Sequence, residues 1–328
     1  MNRSLSQEAE KTLNVAKTWM RERRAKQEEE RNKTLAFMSR QQRVAAPFHE
    51  KLYRHALSAA GIEVEELNKR HQAESDSAMR FLDERRQAAL NVARDVNLRH
   101  RSDIEERMAR WEHFAPPPPP PPQPSSPIVA SLTSAMEINL TANLGDSSIA
   151  PNANIARTKV ERKGWVSSLQ WDLRGDLATV DWQFLWNPPR DGLLNVLTLL
   201  AMNGFGAVYP GPGCMAGSAS WSIDSELALT QFGANGQPFR DSVTTRLAED
   251  NFNSSDIPSS GGIILTGTHL DDVPVVTYPN RFPVMGQVPL LITVSATLYV
   301  LVAHGQAELN FIDGDFQLNV PFVYLFMD

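Results

Sequence analysis

The chain has 328 residues, 42% of them hydrophobic, with a net charge of −6 and a single cysteine, Cys214. That length leaves room for two domains, and one cysteine excludes any intrachain disulfide. No apolar run approaches the ~20 residues of a membrane-spanning helix, since the longest near the C-terminus is Leu298–Ala303.

The charge is unevenly spread. Residues 1–115 carry 23 Lys and Arg against 19 Asp and Glu, a net of +4, and residues 116–328 carry 9 against 19, a net of −10. The opening MNRSLSQEAEKTLN lacks the apolar stretch of a signal peptide. The expected location is therefore cytoplasmic when the chain is made, with release as part of a particle.

The first 115 residues predict helix. Residues 5–45 contain no Gly or Pro, and Leu5, Ala9, Leu13, Ala16 and Met20 recur at helical spacing. The stretch Arg21–Lys33 is almost wholly charged and supports an exposed helix through pairs such as Glu22 and Lys26. Pro47 stops this helix, Phe48–Ala60 forms a short amphipathic segment, and Gly61 caps it. A longer pattern runs from Ile62 to Trp111. Along it Leu82, Ala89 and Val96 stand seven apart, and Ile104, Met108 and Trp111 continue at four and three. The stripe is narrow, so the helices are expected to pair as a hairpin or coiled coil, in one chain or between chains. These six residues are the predicted oligomerisation seam.

Seven prolines, Pro116 to Pro122, then interrupt the chain. Each fixes φ and removes an N–H, so residues 116–127 are read as a stiff proline-rich linker of ~3.1 Å per residue. Residues 128–328 read as a β-sandwich, jelly-roll-like. Ile292 to Val302, Ala307 to Phe311 and Phe316 to Phe322 alternate around His304-Gly305 and Asp313-Gly314, which predicts a three-stranded meander. Trp165 to Leu173 and Val180 to Trp186 alternate around Arg174-Gly175-Asp176, which predicts a hairpin. Further strands are expected at Met136–Leu144, Ser220–Gln231, Phe239–Ala248, Gly262–Thr268 and Val273–Tyr278. The one helix-like pattern is Leu193–Met202, and Asn203–Gly217 reads as a long Gly/Pro loop. The fold class is thus α + β multidomain: helical region 1–115, linker 116–127, antiparallel β-sandwich 128–328.

No catalytic motif stands out, and no metal or cofactor is expected. His269 and His304 have no local nucleophile elbow or cysteine-protease signature beside them. The clusters His269–Asp272 and Asp313–Asp315 offer too few oxygens for calcium and read as solvated turns. Arg174 and Asp176 spell an integrin-type tripeptide at an expected hairpin tip, though all three residues are common in turns. Trp165, Trp171, Trp182, Trp186 and Trp221 would suit sugar stacking if exposed, but the alternation places Trp182 and Trp186 with Val180 and Phe184 in a core. Arg174, Asp176, Trp165 and Trp171 are the candidate binding residues.

The favoured function is a non-enzymatic structural or attachment protein, a virion, phage or injection-particle component. Its helices would oligomerise, and its sandwich would pack on itself or bind a glycan or other surface ligand. The alternatives are a two-domain toxin with a receptor-binding sandwich and a carbohydrate-binding module. The small excess of Lys and Arg in residues 1–115 gives nucleic acid little support as a partner.

Overall fold

The protein is described from a computed structural model. It covers scattered positions between 14 and 91, contiguous at 21–26 and 54–61, and residues 128–142, 147–150, 153–163, 173–210, 218–232, 237–253, 266–303 and 305–328. The candidate seam residues, Leu82, Ala89, Val96, Ile104, Met108 and Trp111, lie outside the described residues, as does the linker.

Strands make up 63% of the described residues, with only two short helices beside them. In chain order they are β1 (Ile128–Leu132), β2 (Glu137–Ala142), β3 (Ser147–Ala150), β4 (Ile155–Lys163), β5 (Leu173–Trp186), β6 (Gly192–Leu199), β7 (Ala201–Pro210) and β8 (Ser218–Phe232). They continue as β9 (Pro238–Asn253), β10 (Thr266–Asp272), β11 (Val275–Val284), β12 (Leu290–Ala303), β13 (Gly305–Asn310), β14 (Gln317–Asn319) and β15 (Val323–Met327). The α + β class with a helical hairpin or coiled coil is therefore overturned. The fold is mostly β, and no helical hairpin is defined among the described residues. The physical reason lies in the charged stretch. Arg23 and Arg24 find carboxylates on a β-sheet, so this part of the arm contacts the sheet.

The strands form three antiparallel sheets. A five-stranded sheet runs β2-β5-β12-β8-β9, a four-stranded sheet β1-β15-β6-β11, and a third β10-β7-β13-β4-β14 with β3 on β4. Their inner faces share one core that includes Val180, Trp182, Phe184, Trp221, Ile292, Val294, Leu298, Leu309, Phe311 and Leu325. The sheets approach so closely at Gly206 that a Cβ there would stand 2.7 Å from the Trp221 indole. The expected jelly roll is thus a sandwich-like arrangement of three sheets.

The strand positions follow the alternation, but several pairings differ from those expected. β12 and β13 are not a hairpin: β12 pairs with β5 and β8, while β13 pairs with β4 and β7 in another sheet. The chain crosses between layers where the turn was expected. β13 and β14 also do not pair with each other. Both lie between β4 and β7, so they form one strand interrupted by a loop at 311–316. Asn310 Oδ1 accepts the Ile312 and Asp313 amides, and its Nδ2 donates to Asp313 at 2.6 Å. The loop has the positive φ expected of Gly314, +59°. Gly314→Val is expected to cost ~1 kcal/mol or more, because a β-branched residue tolerates that φ poorly. Calorimetry would read this as a melting temperature lower by ~2–4 °C.

Leu193–Met202, expected to be helical, instead forms β6 and the start of β7. A short apolar run cannot be told from a buried helix by periodicity alone. Here it serves two sheets in succession, with buried Leu200 at the crossing. The proposed loop from Asn203 is strand as far as Pro210.

Candidate functional site

The middle of the outer face of the five-stranded sheet is mostly polar, and an apolar cluster of Leu291, Leu185 and Met136 lies beside it. One row reads Asn139, Asp181, Ser295, Glu226 and Thr244 from β2 to β9. The next reads Glu137, Gln183, Thr293, Ala228 and Ser242, and the one on the other side reads Thr141, Thr179, Thr297, Asp224 and Arg246. The register places them together, because in a strand every second side chain leaves by the same face. On the opposite face of the same strands stand Val180, Trp182, Val294 and Leu227, all fully buried.

The groups at the centre of these rows are not open to solvent, whereas Thr141, Thr244 and Arg246 at the edges are exposed. Asp181 and Gln183 are each 1% exposed and Ser295 is 3% exposed. Part of the cover is the N-terminal arm. Arg24 forms an ion pair with Asp181 Oδ2. Arg23 pairs with Glu226 and also donates to Ser242 Oγ at 3.3 Å. The guanidinium groups of Arg23 and Arg240 both lie over the Trp19 ring.

Burial raises the Asp181 carboxyl above its ordinary range, and Arg24 and a 2.7 Å hydrogen bond from Ser295 Oγ oppose that rise. Burial and the like charge of Arg23 lower Arg240 to about 10, against the pull of Glu226. Further along, Arg246 bridges Asp224 and Glu249.

The satisfaction of these groups is incomplete. The side-chain carbonyl of Gln183 has no hydrogen-bond partner, and neither does Arg240 Nε. Arg24 Nη2 is engaged in the ion pair with Asp181 Oδ2. A buried unmatched polar group costs ~1–3 kcal/mol, so the face retains room for one donor at the Gln183 carbonyl and one acceptor at Arg240 Nε. Chemically it offers carboxylates, an amide and hydroxyls on a rigid sheet, with Tyr299 as the aromatic member near one end.

The residues singled out in the sequence fall elsewhere. Arg174, Gly175 and Asp176 are not at a hairpin tip but within β5, opposite Val302, Leu301 and Val300. Gly175 is needed for close approach rather than for a turn, since its Cβ would stand 2.8 Å from the Tyr299 hydroxyl. Asp176 is held by Arg162 at 3.0 Å across two sheets. Trp182 and Trp221 are core residues and Trp186 packs on that core, so these three form no sugar platform. Trp165, Trp171, Cys214 and His304 lie outside the described residues.

His269 Nε2 lies 3.2 Å from Asn203 Oδ1. Among the described residues no three His, Cys, Asp or Glu side chains gather to hold a metal ion, and no helix is long and apolar enough to cross a membrane. Sequence reading missed Asp181, Gln183, Glu226 and Ser242. The available signal was the carboxylate and amide at the polar positions of β5, but which strands flank them is not written in any one segment.

No protein-family model matches the chain, and no curated protein matches it. Among solved structures it is similar to the carbohydrate-binding module TmCBM61, solved in complex with β-1,4-galactotriose. That likeness has 10% identity and a TM-score of 0.21, covering 60% of this chain and 92% of the other. It is also similar to a CocE/NonD family hydrolase from Staphylococcus aureus, with 12% identity and a TM-score of 0.09 over 55% of this chain and 38% of the hydrolase. At these TM-scores neither likeness bears on the site.

Proposed function

We propose that the protein is a non-enzymatic recognition protein that binds a polyhydroxylated ligand, a glycan, on the outer face of its five-stranded sheet. The observation that carries this is the unmatched carbonyl of Gln183, 1% exposed, beside Asp181, Thr293 and Ser295. Sugar hydroxyls donate and accept at once, so one ring can satisfy an amide carbonyl, a carboxylate and a hydroxyl that sit side by side. Rigid strands hold these groups without further ordering on binding.

Titration calorimetry with galactan, xylan, mannan and β-glucan oligosaccharides tests the reading, comparing the native chain with Gln183→Leu. At least one oligosaccharide should bind the native chain, and the leucine variant should bind it about tenfold more weakly. The same variant should melt no lower than the native chain, because an apolar group of similar shape removes an unmatched buried carbonyl. Absence of binding across the panel, or equal affinity in the two chains, would reject the proposal.

A second reading is an assembly protein of a larger particle. The Arg23–Glu226 and Arg24–Asp181 ion pairs favour it, since an arm that clamps a sheet can build contacts between copies. Native mass spectrometry of the full chain separates the two: a defined oligomer without glycan binding supports assembly.

A further inference from the structure

We infer that the arm residues Trp19, Arg23 and Arg24 form a displaceable cover on the glycan face, so that arm docking and glycan binding exclude each other. This rests on the glycan reading of that face.

The arm occupies the groups a ligand would need. Asp181 has Arg24 on one oxygen and Ser295 on the other, and Arg23 holds both Glu226 and Ser242. An incoming sugar must replace these contacts one for one.

The arm is also an imperfect occupant. On the same face the Gln183 carbonyl and Arg240 Nε remain without a hydrogen-bond partner. Docking further brings the positive charges of Arg23 and Arg240 to the same ring, Trp19. A neutral polyol that donates to Gln183 and accepts from Arg240 would relieve these deficits, which gives a physical reason for exchange. What attracts the arm is charge, with a net of +4 over residues 1–115 against −10 over the rest. Such attraction concentrates the arm near the sheet without locking it in one geometry. The contacts described for these residues include the ion pairs to Glu226 and Asp181, the hydrogen bond to Ser242 and the guanidinium contacts with Trp19.

The test uses the full chain with Arg23→Gln and Arg24→Gln together, titrated with the same four oligosaccharide classes beside the native chain. Removal of the cover should tighten binding of at least one class by about tenfold, within the usual range of coupling between two states. In the native chain, the oligosaccharide that binds should speed amide hydrogen exchange at residues 21–26. Equal affinity in both chains, with exchange at 21–26 unchanged, would overturn the cover and leave the glycan face standing. Failure of both chains to bind any of the four classes would overturn the cover and the glycan reading together. The exchange measurement needs no variant, so it holds even if the substitutions disturb folding.

Discussion

Asn154→Ala is expected to destabilise the protein by ~4 kcal/mol, from the loss of several buried hydrogen bonds at ~1 kcal/mol or more each and a strained backbone. Asn154 is buried in the left-handed region at φ 53°. Its Oδ1 accepts the Ala135 amide at 2.8 Å, and its Nδ2 donates to the carbonyls of Thr133 and Val320, each at 2.9 Å. The side chain thus ties the β1–β2 link and the β14–β15 link to the start of β4. Its own carbonyl accepts Trp182 Nε1 at 2.8 Å, which orients one of the two indoles of the core. Alanine would leave three main-chain groups unmatched and place a Cβ without side-chain compensation at positive φ. Thermal unfolding should show a drop of ~10 °C. Asn154→Gly should recover ~1 kcal/mol of that loss, because glycine removes the backbone strain alone. Equal melting of the alanine variant and the native chain would show that Asn154 does not hold the strand ends.

The second large effect is expected at Gly204, where β7 passes beside the turn out of β13. A Cβ there would stand 2.8 Å from the Asn310 carbonyl oxygen and would enter the ring of Phe311, which is fully buried. A carbonyl on a paired strand cannot move aside cheaply. Gly204→Ala should therefore cost ~3 kcal/mol, at the upper end of the cost of overpacking, and lower the denaturant midpoint accordingly. Combining it with Phe311→Leu should recover part of the loss by freeing space at the ring, a coupling that a double-mutant cycle measures directly. Strict additivity would show that the two side chains do not meet.

Strands could be read from the sequence far better than sheets. Alternation placed β2, β8, β9 and β12 within a few residues of their bounds, because period two depends only on which face is buried. Alternation does not say which strand lies alongside. His304-Gly305 looks like a hairpin turn, yet β12 and β13 part there into different sheets. Arg174-Gly175-Asp176 has turn composition, but its glycine is needed because Tyr299 lies above it. Asp313-Gly314 has turn composition and does turn the chain, but it interrupts one strand rather than joining two neighbours.

The candidate site shows the same division. Thr293, Ser295 and Thr297 were visible as the polar side of β12. Asp181 becomes their neighbour only through a pairing that spans 114 residues. The uneven charge was also visible. What it does locally, joining Arg23 to Glu226 across 203 residues, depends on a sheet no single segment encodes.

The most direct measurement is a crystal structure of the full chain grown with the oligosaccharide that binds it best. A sugar ring is expected over Gln183, Thr293 and Ser295, with one hydroxyl donating to the Gln183 carbonyl and Arg24 withdrawn from Asp181. A ring bound instead on the outer face of the four-stranded sheet, beside Tyr324 and Phe326, would contradict the assignment, as would the absence of any bound sugar.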